Sequence, residues 1–369
     1  MAKQGFFKKK LGYFSRLIFL CNILAVFALL LSYAASFINP QTLWILPFFG
    51  LGYLPILIIN LCFVAYWILR KPLYALYTLA PILLGWNLLN QHIGFNSPAP
   101  AEQTDSSLRV MSFNGHLFHS YQKKSAPEVR DEVVQMIQTS KPDILCIQEF
   151  FTKIKGTQQM TERIANSSAL QHYFFEPVSK SKHEGYGQII FSKYPIVHSG
   201  TITKNEFGVN RIIYADIVKN TDTIRIYNVH LRTFGLQRED KNFIQNPSGT
   251  PQEEHATTRV GRKLKYAFEQ RGKQAEALRK HLDESPYPVM VMGDFNDTPM
   301  SYSVNLIKKG LKNAFQEKGR GWGVTHYEML PFLQIDYIFC SPTFVIDNYQ
   351  VVKQELSDHY PIFADIQVQ

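Results

Sequence analysis

A chain of 369 residues ordinarily divides into two or three domains. Its net charge is +9, but seven basic residues (Lys3, Lys8, Lys9, Lys10, Arg16, Arg70 and Lys71) fall within the first 101 positions, which contain no Asp or Glu, so about +2 remains for everything after. The basicity therefore argues for no nucleic-acid surface on the later part, and the four cysteines, all in apolar runs, read as buried free thiols rather than a disulfide framework or zinc site.

Between the early charges lie three uncharged apolar runs, at about 17–38, 43–69 and 73–89. A hydrocarbon core of about 30 Å needs roughly 20 helical residues, so three transmembrane helices are expected. Pro47, Pro55 and Pro81 are read as kinks, and Trp44, Trp67, Tyr74 and Trp86 stand near run ends, where aromatic belts form. A cleaved signal peptide is the weaker reading of the first run, because two more spans follow; the third run, with Asn87 and Asn90, has an interfacial or re-entrant alternative. This divides the chain into a membrane region at 1–93, a polar Pro-containing linker at 94–107 and a soluble domain at 108–369.

The soluble part opens on an apolar strand, Leu108 to Asn114, that stops at an amide. Val129, Val133, Met136 and Ile137 fall on one face of a helix over 127–140, and the turn Lys141-Pro142-Asp143 feeds a strand from Ile144 that stops at Glu149. A further helix is expected over 157–170 and a strand over 185–192, and the alternating runs 211–218 and 223–231 predict a hairpin that ends in Asn228-Val229-His230-Leu231. Residues 232–255 are polar and irregular, either a binding loop or disorder. A long basic helix over 258–282 precedes the buried strand Val289-Met290-Val291-Met292-Gly293-Asp294, which breaks into Phe295-Asn296. Ile335-Asp336 opens another strand, and Ser357-Asp358-His359 precedes the last. There is no internal repeat and no Gly-rich phosphate loop.

Singly, these polar strand ends are weak signals, since an Asx turn needs Asp and Asn for backbone bonds alone. As an ordered set (Asn, Glu, Asn-x-His, Asp-x-Asn, Asp, Asp-His) they resemble the endonuclease/exonuclease/phosphatase superfamily, over 108–369. The resemblance implies an α/β fold, a DNase I-like sandwich of two mixed β-sheets flanked by helices. It implies metal-dependent phosphoester hydrolysis with Mg²⁺, or Mn²⁺ in its place. Glu149 is then the main metal ligand, with Asn114 and Asp358 completing the site. His359 is the general base oriented by Asp336, Asp294 orients the attacking water, and Asn296 and His230 donate to phosphoryl oxygens. Asn228 is assigned to substrate binding with its motif. His in the Asn-Val-His motif is similar to the DNase I, sphingomyelinase and phosphoinositide phosphatase branches rather than to abasic-site endonucleases. Gln334 stands where many relatives carry a basic residue, and Arg232 is the candidate replacement for that substrate contact. His116, His119, His183, His255 and His326 are read as surface or structural, and Glu184 as a partner of His230.

The expected partners are a phosphoester substrate and the bilayer, with nucleic acid not favoured. Lys and Arg mark cytoplasmic flanks, so Lys3 to Arg16 and Arg70-Lys71 place the catalytic domain of this integral membrane protein outside the cytoplasm after three crossings. A lipid or other envelope phosphoester is then expected before DNA. The alternatives are an extracytoplasmic DNase-type nuclease and a silent receptor or scaffold that keeps the fold, although none of Glu149, Asp294, Asp358 or His359 is missing.

Overall fold

The computed structural model describes residues 11–96, 107–156, 159–202, 208–245, 252–328 and 333–368. Lys3, Lys8, Lys9 and Lys10, most of the 94–107 tether and the centre of the 232–255 stretch lie outside them.

Twelve of the strands form two six-stranded sheets. The first runs, edge to edge, Val345–Val351, Ile362–Gln367, Ser107–Asn114, Ile144–Lys153, Glu184–Ser192 and His172–Lys180. The second runs Lys312–Asn313, Asp336–Cys340, Val289–Asp294, Asp222–His230, Ile212–Lys219 and Ile196–Ile202. Each sheet has one parallel pair among antiparallel ones, Ser107–Asn114 with Ile144–Lys153 and Asp222–His230 with Val289–Asp294, so both are mixed. A parallel pair needs a crossover, and helices Ala126–Ser140 and Gln252–Asp283 supply the two.

Strand alternation sorts the core into layers. Val110, Cys146 and Ile190 meet Ile213, Ile226 and Met292 between the sheets. Their neighbours Met111, Leu145 and Ile189 face outward against Val129, Val133 and Ile137 of helix Ala126–Ser140. On the other side Tyr227, Val291 and Phe339 pack on Ala275, Leu278 and Leu282 of the long helix. Three strands that sequence patterning did not find, His172–Lys180, Ile196–Ile202 and Val345–Val351, are all sheet edges, and each carries a register shift that blurs its alternation. The stretch expected to be irregular at 232–255 contains a helix, Arg238–Gln245, and the long helix starts at Gln252, earlier than its apolar pattern suggested.

The amino-terminal part forms α1 (Tyr13–Ala34), α2 (Leu46–Leu51), α3 (Tyr53–Arg70) and α4 (Pro72–Leu84), with a short turn of helix at Trp86–Leu89. Two of these, α1 and α3, are long and apolar enough to cross a membrane, against an expectation of three. The second run breaks at Gly52, and the third breaks at Gly85 after only 13 residues, about 20 Å of helix. A Cβ at Gly85 would sit 2.2 Å from the Tyr33 hydroxyl, so any larger residue there has to displace the Tyr33 ring. The four cysteines are free: Cys146 and Cys340 are buried in the sheets, whereas Cys21 and Cys62 are exposed on helix surfaces.

Polarity in this unit is inverted. Asn22 Nδ2 donates to Thr78 Oγ1 at 2.8 Å and Trp67 Nε1 donates to Asn22 Oδ1 at 2.9 Å, all buried between the helices. Leu17, Leu24, Phe27, Ile58, Ile68 and Leu76 face outward with about half or more of their surface exposed. Ile93–Phe95, which spans the start of the expected linker, pairs antiparallel with Arg320–Trp322 of the sandwich.

Candidate active site

The polar residues gather where the central strands of both sheets end. Asn114 closes one strand, His230 and Asp294 close the parallel pair of the other sheet, and Asp336 opens the strand beside Asp294. Glu149 reaches the same place through a bulge: pairing slips between Ile147 and Phe150, and Glu149 takes a left-handed φ of 49°. Gly293 permits the approach of the parallel pair, since at its φ of 145° a Cβ would lie 2.0 Å from the Val229 carbonyl oxygen. Asp294 Oδ1 then accepts from the Asn296 backbone N–H at 2.7 Å, which fixes the turn after the strand.

His359 and Asp336 form a buried pair, Nδ1 to Oδ2 at 2.9 Å, and His359 Nε2 lies 3.8 Å from Asp294 Oδ2. Asp294 Oδ2 also accepts from Asn114 Nδ2 at 2.9 Å and Asn296 Nδ2 at 3.0 Å. His230 is buried, with Nε2 at 3.8 Å from both Glu149 Oε1 and Asp294 Oδ2 and at 3.2 Å from Asn210 Nδ2. Glu184, expected beside it, is instead exposed at the start of its own strand.

The charges are strained by burial. Desolvation raises the Glu149 carboxyl above its usual range, with Asp358 adding to the rise and His116 opposing it. Burial raises Asp294 as well, against the pull of His359. For His359 burial works downward but is outweighed by Asp336 and Asp294, which lift it well above the ordinary imidazole value. Burial lowers His230, so it stands neutral.

A cavity of about 200 Å³ opens over this centre, with Asn114, Glu149, Asp294, Asn296, Asp358 and His359 in its lining. Three expected substrate contacts are not in its lining: His230 lies behind it, against Glu149 and Asp294, and two others are further off. The Asn228 amide is fully buried and spent on the fold: Nδ2 donates to the carbonyls of Ile147 and Ile189, and Oδ1 accepts from Gln148 Nε2 at 2.7 Å. Arg232 turns its guanidinium onto the Tyr266 ring at 5.4 Å and is not among the lining residues. Gln334 also faces elsewhere, into a small cavity beside Leu51 and His92.

Residues passed over in the sequence do line the cavity. His116 Nδ1 contacts Asp358 Oδ1 at 2.9 Å and His326 Nε2 lies 3.6 Å from Asp358 Oδ2, so neither is a plain surface histidine. Against the effect of burial, these two hold the Asp358 carboxyl far below its usual range. The one available signal was that His116 stands two residues after Asn114, on the same strand end. Lys241, from the helix inside the expected loop, also lines the cavity, with its ammonium 3.3 Å from Glu328.

Carboxylates exceed permanent cations here: Glu149, Asp294, Asp297 and Asp358 line the cavity, with Lys241 as its sole Lys or Arg among the described residues, and of the four only Asp297 has a buried arginine beside it, Arg271 Nη1 at 3.4 Å. A donor set of oxygens with surplus negative charge suits a divalent cation. Two groups, His326 with Asp358 and His359, and Asp294 with Asp336 and His359, bring ligand atoms close enough to hold a metal ion; both include histidine nitrogen, and of the expected ligands only Asp358 is in either.

A model of the endonuclease/exonuclease/phosphatase family matches residues 84–359. The chain belongs to that family. Family members are typically divalent-metal-dependent phosphoester hydrolases. A domain family of unknown function matches residues 15–92, the helical unit. No curated protein matches the chain. Among solved structures, humanized D. rerio TDP2 superposes with a TM-score of 0.51 at 16% identity, over 72% of this chain and 100% of that one. A functionally unknown conserved protein from Enterococcus faecalis gives 0.50 at 15% identity, over 71% and 100% of the two chains. A Bacteroides thetaiotaomicron mannosyl-6-phosphatase gives 0.49 at 17% identity, over 71% and 100%. For the first two the likeness is one of fold, and the DNase I-like sandwich is shared.

Proposed function

We propose that the protein is a membrane-anchored, Mg²⁺-dependent phosphoesterase that hydrolyses a phosphodiester or phosphomonoester outside the cytoplasm, with a lipid or other envelope phosphoester preferred to DNA. The observation that carries the chemistry is the buried His359–Asp336 pair, with His359 Nε2 aimed at Asp294 over an acidic cavity. Glu149, Asn114 and Asp358 would hold the cation, which supplies charge neutralisation for the phosphoryl oxygens. Asp336 holds the His359 Nδ1 proton, and Nε2 accepts one from the attacking water in the neutral ring, a form that Asp336 and Asp294 displace to higher pH. Asp294 orients that water, and Asn296 and His230 are the donors to phosphoryl oxygens; to serve as such, the Asn296 amide exchanges one of its bonds to Asp294 Oδ2 and the Leu231 carbonyl, and His230 Nε2 gives up its contact with Asn210 Nδ2.

Membrane anchoring is supported by the inverted polarity of α1, α3 and α4, with hydrogen bonds inside and bare aliphatic side chains outside. Ala34, Tyr53 and Leu84 mark the helix ends next to the catalytic sandwich, whereas Arg16, Arg70 and Lys71 mark the opposite ends. That asymmetry favours an extracytoplasmic catalytic domain.

Full-length protein in detergent, offered phospholipids, sphingomyelin, single- and double-stranded DNA, inositol phosphates and simple phosphodiesters with and without Mg²⁺, tests the proposal. Hydrolysis of a lipid or simple ester that needs the cation is expected. DNA hydrolysis without lipid turnover would reverse the substrate preference, and a reporter after Gln369 active only in the cytoplasm would reverse the orientation.

A further inference from the structure

The cavity is not built by the sandwich alone. Its carboxylates share the lining with apolar side chains, the partly exposed Leu51, Phe234 and Leu236 and the buried Leu333, and Leu51 belongs to α2, between the two span-length helices. The placement of α2 is firm. A Cβ on Gly50 would meet Ala35 Cβ at 3.0 Å and the Met300 carbonyl oxygen at 3.1 Å, and Ser36 Oγ donates to that same carbonyl at 3.1 Å. Met300 closes the turn that begins at Asp294, and its side chain is buried among the amino-terminal helices. Phe48 of α2 packs edge-on against Phe268 at 5.3 Å, and Phe268 against Phe234 at 5.6 Å, so α2 also backs the segment that carries Phe234 and Leu236.

A polyanion such as DNA is gripped by Lys and Arg around the reacting phosphate, and the lining offers Lys241, already beside Glu328. At about 200 Å³ the cavity is also smaller than the roughly 300–1,000 Å³ of sites that enclose a whole drug-sized ligand, so it takes a phosphoryl group and the first atoms of its substituents. The rest of the substrate lies outside it, and the partly exposed Leu51, two residues before α3, is the lining residue that belongs to the amino-terminal helices.

We propose that Leu51 is a specificity-determining residue: with Phe234 and Leu236 it receives the apolar chain of an amphiphilic phosphoester whose phosphate enters the acidic cavity. The inference rests on the phosphoesterase reading above and makes the amino-terminal helices part of the active site as well as an anchor.

The test uses full-length protein in nanodiscs and the diesters p-nitrophenyl methyl, butyl and octyl phosphate. Burial of a methylene gives up to about fourfold per carbon, so kcat/KM is expected to rise at least tenfold from methyl to octyl. Leu51→Asp should collapse the octyl-to-methyl ratio to within about twofold, Leu51→Met should keep it, and the ratio is insensitive to a general loss of activity. Leu236→Ser, in the same lining, should lower the ratio as well, and it serves if Leu51→Asp does not fold. A flat chain-length series in the wild type, or a ratio unchanged in these variants, overturns the inference while leaving the phosphoesterase reading intact. Hydrolysis of no ester overturns that reading instead; calorimetric binding of octyl against methyl phosphate, wild type against variant, then decides the role of Leu51 by itself. The octyl ester supplied free below its micelle concentration or embedded in phosphatidylcholine vesicles distinguishes a soluble amphiphile from a bilayer lipid.

Discussion

Replacing Asn228 by Ala separates a structural role from a substrate-binding one. The amide donates to the Ile147 carbonyl at 3.1 Å and the Ile189 carbonyl at 2.9 Å, and it accepts from Gln148 Nε2 at 2.7 Å, with no solvent access. Ile147 and Ile189 are register partners in one sheet and Asn228 lies in the other, so the bonds tie the sheets together beside the Glu149 bulge. Gln148 would retain its bond to Ser112 Oγ at 3.2 Å, and the two carbonyls, which face each other across an antiparallel pair, would retain the ladder. The three buried hydrogen bonds of the amide would be lost at about 1 kcal/mol each, giving about 3 kcal/mol in all. Total stability is about 5–15 kcal/mol, and 1 kcal/mol moves Tm by about 2–4 °C in a domain of this size, so a fall of roughly 6–12 °C is expected. Asn228→Asp, which has no donor for either carbonyl, should lose at least as much. Thermal melting of the full-length protein in detergent, followed by circular dichroism, measures this. A Tm within about 2 °C of wild type together with a raised KM would refute the reasoning and return Asn228 to the substrate.

Glu149→Gln should abolish turnover or raise the Mg²⁺ requirement steeply. Because burial raises the carboxyl above its ordinary 4.5, ionised Glu149 costs stability that is absent below pH 4.5 and appears as pH rises through the folded value. The metal-free variant should therefore melt higher than wild type at pH 7 and equally at pH 4, and an equal Tm at both would remove the proposed strain. Asp336→Asn takes away a charge that lifts His359, so the acid limb of kcat/KM should move to lower pH while the maximal rate falls; an unchanged pH profile would show that the pair does not govern the proton. Gly293→Ala, with its Cβ 2.0 Å from the Val229 oxygen and φ at 145°, should destabilise by several kcal/mol and yield little folded protein. Normal expression and melting would mean that the parallel pair can separate there.

The fold class was legible because buried parallel strands announce themselves: Ile144 to Ile147 and Val289 to Met292 are unbroken apolar runs, and two residues after each comes a carboxylate that lines the cavity, Glu149 or Asp294. Edge strands with bulges left no comparable trace. Asn228 was assigned by its neighbourhood to His230 two residues on. Residues two apart on a strand share a face, but only His230, at the very end, looks into the site, whereas Asn228 lies deeper, between the sheets.

By itself the sequence determined the chemistry on offer, because which side chains are carboxylate, amide or imidazole needs no coordinates. It also determined the apolar character of the first ninety or so residues, since runs with no charge leave bilayer or core as their only solvents. Only the tertiary structure decided that His116 and His326 close on Asp358 and that Lys241 reaches the cavity from a stretch without apolar periodicity. It alone set Leu51, nearly a hundred positions before Glu149, in the lining of the same cavity. The reason is physical: periodicity reports which face of an element is buried, while the meeting of residues far apart in the chain depends on how whole sheets and helices pack, and no local pattern encodes that.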